Sequence, residues 1–122
     1  MVTKKMELLQ QAEIVDRIIF HIEKNFRVKN CLKDLHEVIF VEYPVYEKVF
    51  QEQVNLTIHE YIVRLRTEQA VRLLEETQLD VKEVAIAVGI NGYFEFVRIF
   101  EKQMGISPSK YRNQICKAKV VK

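Results

Sequence analysis

Glycine and proline are scarce in this 122-residue sequence, with three and two copies respectively. Few turn signals interrupt the chain, and helical periodicity fills the intervals, so the expected fold class is all-α. No apolar run approaches the ~18 residues that a membrane span needs. The opening Met1-Val2-Thr3-Lys4-Lys5 leads into no signal-peptide core. Only two cysteines occur, Cys31 and Cys116, without metal-ligand spacing. They read as free thiols in a reducing cytoplasm. His21, His36 and His59 pair with no Cys or acid at metal spacing, which argues against a metal site. There is no Ser-His-Asp set, glycine-rich phosphate loop or partnered catalytic cysteine, so neither an enzyme nor a cofactor is expected.

What the chain does have is a core and a lopsided charge. Hydrophobic residues make up 48% of it, enough to exclude disorder. The net charge of +2 is unevenly distributed. Residues 98–122 carry seven basic side chains against Glu101 alone, a net of +6, while the remainder is −4. A basic end of this kind suits a polyanionic partner, although a solvated lysine-rich tail would have the same composition.

Apolar spacing at Ile14, Val15, Ile18, Ile19, Ile22 and Phe26 predicts a first helix over residues 12–27. A short segment over 32–39 follows, with Leu35 and Val38 on its buried side. A third runs over 43–54 with Val45, Val49 and Phe50 inward, and tolerates Pro44 in its first turn. Thr57-Ile58-His59-Glu60 is a capping box that opens a long helix reaching about Thr77. Asp80-Val81-Lys82-Glu83 opens a short helix that Gly89 ends by accepting positive φ. A helix over 93–104 follows, and Ser107-Pro108 caps a last short one.

These segments repeat. Residues 48–61 lie over 98–111 at a constant offset of 50, pairing Lys48-Val49-Phe50 with Arg98-Ile99-Phe100, Asn55 with Gly105, Thr57 with Ser107 and Tyr61 with Tyr111. Upstream the offset is one shorter, pairing Leu35 with Val84 and Phe40-Val41 with Gly89-Ile90. Each copy reads as short helix, tight turn, second helix and capped exit, which is a helix-turn-helix. The expected organisation is a flank over 1–11, a first unit over 12–56, a linker helix over 57–77, a second unit over 78–114 and a basic tail over 115–122. A connector of about 20 residues spans roughly 30 Å, close to the ~34 Å between successive major grooves on one face of B-DNA.

The stretch Ile86-Ala87-Val88-Gly89-Ile90, Phe96-Val97-Arg98-Ile99-Phe100-Glu101-Lys102, Gly105-Ile106-Ser107-Pro108 and Tyr111-Arg112 resembles the C-terminal signature of AraC-type transcription regulators. Arg64-Leu65-Arg66 with Ala70 and Leu73-Leu74 is similar to that family's linker helix. The resemblance covers about residues 12–112 and implies seven helices in two subdomains that bind double-stranded DNA near a promoter. RNA polymerase is a further partner it implies, as is the N-terminal effector or receiver domain that many members carry.

Carried across position by position, it puts Tyr93, Phe94, Glu95 and Arg98 at the major groove in the second unit, and Pro44, Glu47 and Lys48 in the first. Lys102, Lys110 and Arg112, with Arg64 and Arg66 on the linker, are expected at phosphates. The first unit departs from the family pattern. His36 replaces a small alanine, Phe40 a turn glycine and Glu42 a serine cap, and residues 31–55 carry a net charge of −3. An acidic surface repels phosphates, so two functions follow for comparison. One is a sequence-specific DNA-binding regulator led by the second unit. The other is a helical protein-interaction module, with an acidic first unit and an apolar patch over Pro44, Val45 and Tyr46.

Overall fold

A computed structural model describes residues 4–28, 30–39 and 41–120. Among them are seven helices and no strand: α1 Lys4–Asn25, α2 Cys31–Val38, α3 Tyr43–Val54, α4 Ile58–Glu76, α5 Val81–Ala87, α6 Tyr93–Met104 and α7 Pro108–Val120. The all-α, seven-helix expectation holds, and α4 is unbroken through Leu65. Two ends move. α1 starts at Lys4, eight residues before the predicted residue 12, and Leu8 and Leu9 in this added stretch are exposed. α7 is 13 residues long rather than short and runs into the basic segment.

The chain divides into two compact units, one formed by residues 1–26 and 30–62, the other by 27–29 and 63–122. In the first, α1 buries Val15, Ile18 and Ile22, α2 buries Cys31 and Leu35, and α3 buries Tyr46, Val49 and Phe50. Ile58 and Ile62 from the start of α4 complete that core. Two side chains expected inward are instead exposed, Val38 and Val45. In α3 the apolar residues 43–46 leave the helix phase ambiguous, and the larger Tyr46 takes the interior with Val49 and Phe50 at i+3 and i+4. In the second unit Ala70 and Leu74 of α4 pack on Val84, Ala85, Val88, Ile90, Phe96 and Phe100.

The helix starts follow their sequence signals. Thr57 Oγ1 accepts from the Glu60 N–H at 3.0 Å while Glu60 accepts from the Thr57 N–H at 2.8 Å. Asp80 and Glu83 form the same reciprocal box at 2.9 Å in both directions. Ser107 Oγ accepts from the Lys110 N–H at 3.2 Å. Of the two cysteines, Cys31 is buried and Cys116 is exposed. No helix among the described residues is long and apolar enough to cross a membrane.

Candidate nucleic-acid interface

The second helix-turn-helix is α5, a turn and α6. Its turn closes with Gly89 at φ 85°, where the Gly89 N–H donates to Ile86 O at 3.1 Å and the Ile90 N–H to Ala85 O at 3.0 Å. That paired 5→2 and 6→1 pattern satisfies the last carbonyls of α5 and requires the left-handed residue. A Cβ at Gly89 would also overlap the Arg27 carbonyl, lying 2.8 Å from its carbon.

Beyond the turn, Phe96 and Phe100 anchor α6 in the core. At about 100° per residue, residues 94, 98 and 95 then occupy a single arc on the opposite side of the helix. Phe94 stands 84% exposed on that arc, its ring edge-on to Tyr93 with centroids 5.4 Å apart. Arg98 is exposed and ion-paired with Glu95 one turn before it. Lys102, in the last turn of α6, and Lys110, in the first turn of α7, are also exposed. Of the candidates for base contact in this unit, Phe94, Glu95 and Arg98 therefore share a solvent-facing arc, with Tyr93 half-buried as their support.

Arg112 goes elsewhere. Its Nε donates to Leu74 O at 3.2 Å, and its terminal nitrogens donate to the carbonyls of Leu79, Thr77 (3.3 Å) and Leu73 (3.5 Å). These include carbonyls that the end of α4 leaves without an intrahelical donor, and a cation there also suits the helix dipole. Assignment of Arg112 to a phosphate is thus corrected: it is a cap for α4. The spacing alone could not distinguish a guanidinium turned toward phosphates from one turned toward carbonyls. Arg64 is exposed and pairs with Glu68 at 3.3 Å, whereas Arg66 is half-buried and donates to Val28 O at 3.2 Å.

The first unit is built from α2, a turn and α3, and it differs in detail. α2 leaves through Ile39 in extended geometry, φ −102° and ψ 117°, where its counterpart Val88 has ψ 5°. Phe40, which stands at the position of the family's turn glycine, lies outside the described residues, and α2 ends at Val38. His36 lies beside the recognition helix, with Nδ1 2.6 Å from the Tyr46 hydroxyl and its ring 5.0 Å from that of Tyr43. Burial first, then the neighbouring Tyr43 and Glu47, push the Tyr46 hydroxyl up to about 12.

Pro44 and Lys48 are exposed on α3, Lys48 within 4.0 Å of Glu52. Glu47 is a correction. It is half-buried, and its Oε1 accepts from the Ile58 N–H at 3.4 Å, facing the start of α4 rather than a groove. Its repeat counterpart is Val97, also half-buried, a signal the 50-residue offset already contained. The expected apolar patch is reduced as well, since Tyr46 is fully buried and only Pro44 and Val45 remain outside.

Comparison with known proteins places this geometry. Residues 41–114 match the helix-turn-helix domain family. The chain is 30% identical over 106 residues to the bifunctional transcriptional activator/DNA repair enzyme AdaA of Bacillus subtilis, covering 87% of this chain and 50% of that protein. It is 30% identical over 102 residues to the HTH-type transcriptional activator AarP of Providencia stuartii, covering 84% of this chain and 76% of that one. The chain thus spans about half the length of the first relative and three quarters of the second. Among solved structures, the C-terminal domain of AraT, a response regulator from Geobacillus stearothermophilus, superposes with a TM-score of 0.79 at 28% identity, over 83% of this chain and 84% of that one. With two tandem helix-turn-helix units, the matched family and these relatives, the chain belongs to the AraC-type helix-turn-helix DNA-binding domains.

Proposed function

We propose that the chain is the DNA-reading part of a sequence-specific transcription regulator, with α6 of the second unit entering the major groove. The observation that carries this reading is the outward arc of α6, where Phe94, Glu95 and Arg98 face solvent together beside exposed Lys102 and Lys110. Arg98 is the candidate for a guanine and the two lysines for phosphates. Tyr93 supports the arc, and Pro44 and Lys48 are weaker contacts from the first unit. Arg64 and Arg66 of α4 are secondary phosphate candidates. A cytoplasmic location and contact with RNA polymerase fit this role, as does control by an effector or receiver domain. The role is one of binding rather than catalysis.

A second reading concerns the first unit alone. Its exposed Pro44 and Val45 and its net charge of −3 over residues 31–55 suit a protein partner better than a phosphate backbone.

The test is a titration of variants on a duplex selected from a random pool, at two salt concentrations. Lys102→Ala should weaken binding to every sequence and lower the salt slope by about one. Arg98→Ala should cost roughly 1–3 kcal/mol on the selected site and relax one position. Lys48→Ala should cost less, since Glu52 already opposes the phosphate field. If Lys48→Ala is the more damaging change, α6 is not the principal reader.

A further inference from the structure

Resting on the role of α6 just proposed, the arc makes a specific statement about base identity. We propose that Glu95 and Arg98 act as one preformed ion pair that reads a single G·C base pair, while Phe94 takes the methyl group of a neighbouring thymine.

The argument begins with the cost of the arrangement. An ion pair exposed on a helix surface contributes little to stability, and Phe94 at 84% exposure contributes nothing to the core. Both sit on the side of α6 away from Phe96 and Phe100, so folding alone does not account for them. At about 100° per residue, Arg98 falls between Phe94 and Glu95 around the helix. The arc therefore runs from an apolar group through a cation to an anion.

That order has a complement in DNA. Across the major groove a G·C pair offers the guanine N7 and O6 acceptors and then the cytosine N4 donor. A guanidinium fork satisfies the first two, and a carboxylate beside it accepts from the third. An A·T pair reverses both later positions. It puts the adenine N6 donor where guanine has O6, facing the guanidinium, and the thymine O4 acceptor where cytosine has its amino group, facing the carboxylate. Each member of the pair thus penalises the wrong base pair as well as favouring the right one.

The Glu95 contact also holds the Arg98 side chain in a defined direction before binding, which lowers the entropy lost on docking. On the other flank of Arg98, the only apolar feature of the groove is the thymine methyl. Phe94, held edge-on by Tyr93, is placed to cover it.

The experiment uses the full chain and duplexes selected by it from a random pool. Kd is measured for the selected duplex, for duplexes carrying A·T in place of each G·C pair, and for duplexes with deoxyuridine in place of each thymidine. One deoxyuridine should weaken wild-type binding about fourfold, the worth of one buried methyl, and Phe94→Ala should bind the two duplexes equally. Glu95→Gln and Arg98→Lys should each lower the preference for G·C at one and the same position by about 5-fold, the other member of the pair keeping the remainder.

Equal wild-type binding to thymidine and deoxyuridine duplexes overturns the Phe94 assignment. Loss of preference at different positions in Glu95→Gln and Arg98→Lys overturns the joint reading. If the variants weaken binding uniformly without changing base preference, this inference fails while α6 remains a DNA contact. If they leave binding unchanged on every duplex, or no duplex is selected, the role of α6 fails with it.

Discussion

Ala85 of the second unit corresponds in the repeat to His36 of the first, and Gly89 to Phe40. Ala85 is buried and lets α5 sit directly against the core below α6, whereas the exposed imidazole of His36 reaches a buried tyrosine of α3. The exits match more closely. α3 and α6 both end on a left-handed residue, Asn55 at φ 66° and Gly105 at φ 83°, whose N–H bonds return to Gln51 and Glu101 at 2.9 and 2.8 Å. Phe50 meets Tyr61 and Phe100 meets Tyr111 at 5.6 and 5.9 Å between ring centroids. The two copies thus share their exits and differ at the entry to the recognition helix.

The sharpest way to break the comparison is Gly89→Ala. Its positive φ and the overlap with the Arg27 carbonyl act together, and backbone cannot yield as a side-chain tip would. A loss of about 3 kcal/mol or more is expected in the second unit. Gly105→Ala has open space around the new methyl and should cost only about 1 kcal/mol. Hydrogen exchange of the α5 and α6 amides, with those of α1 as internal reference, measures both. Equal losses would mean that the steric overlap is relieved cheaply.

Next in size is Arg112→Ala, at about 2–3 kcal/mol, because removing the guanidinium leaves several carbonyls at the end of α4 without their donor. Its counterpart in the first unit is the buried Ile62, whose side chain carries no donor. The salt slope of DNA binding should be unchanged in this variant once the folded fraction is accounted for. A slope reduced by about one would return Arg112 to the phosphates.

Most of the architecture was legible because the strongest signals are local. Thr57, Asp80 and Ser107 cap where their spacing says, and Gly89 turns where only glycine fits. The site was half legible. Arg98 and Phe94 face outward as their repeat positions imply, but helix phase misplaced Val45 and Tyr46, since residues 43–46 are apolar all round. Aligning Tyr46 with the buried Phe96 would have set that phase. Nothing in a sequence says whether Arg112 meets an internal carbonyl or an external anion, because both are oxygen acceptors at similar reach.

A smaller effect separates the units at His36. Replacing it with Ala, the residue of the second unit, leaves the Tyr46 hydroxyl without its imidazole partner. The cost should be about 1 kcal/mol, at the low end because water can enter the space an exposed ring vacates. Adding Tyr46→Phe should recover most of that loss, and a double-mutant cycle by urea denaturation reads the coupling. Additive effects would remove the hydrogen bond from the account of how α2 holds α3.

The smallest contrast concerns the paired tyrosines. Tyr111 donates to Glu75, whereas the Tyr61 hydroxyl donates to Glu23 across 3.4 Å. Tyr111→Phe should therefore cost about 1 kcal/mol and Tyr61→Phe a few tenths. The bond to Glu75 first, then burial and the charge of Glu75, push the Tyr111 hydroxyl up to about 12. An unfolded tyrosine ionises near about 10. Between these values the folded chain holds a phenolic proton that the unfolded chain has released, so the contribution is complete below pH 10 and is lost as pH rises toward 12. The gap between wild type and Tyr111→Phe should accordingly narrow over that interval when stability is followed by urea denaturation at stepped pH. A constant gap would mean that Tyr111 acts through its ring against Phe100 alone, and the hydroxyl would then add nothing to what the first unit achieves with Tyr61.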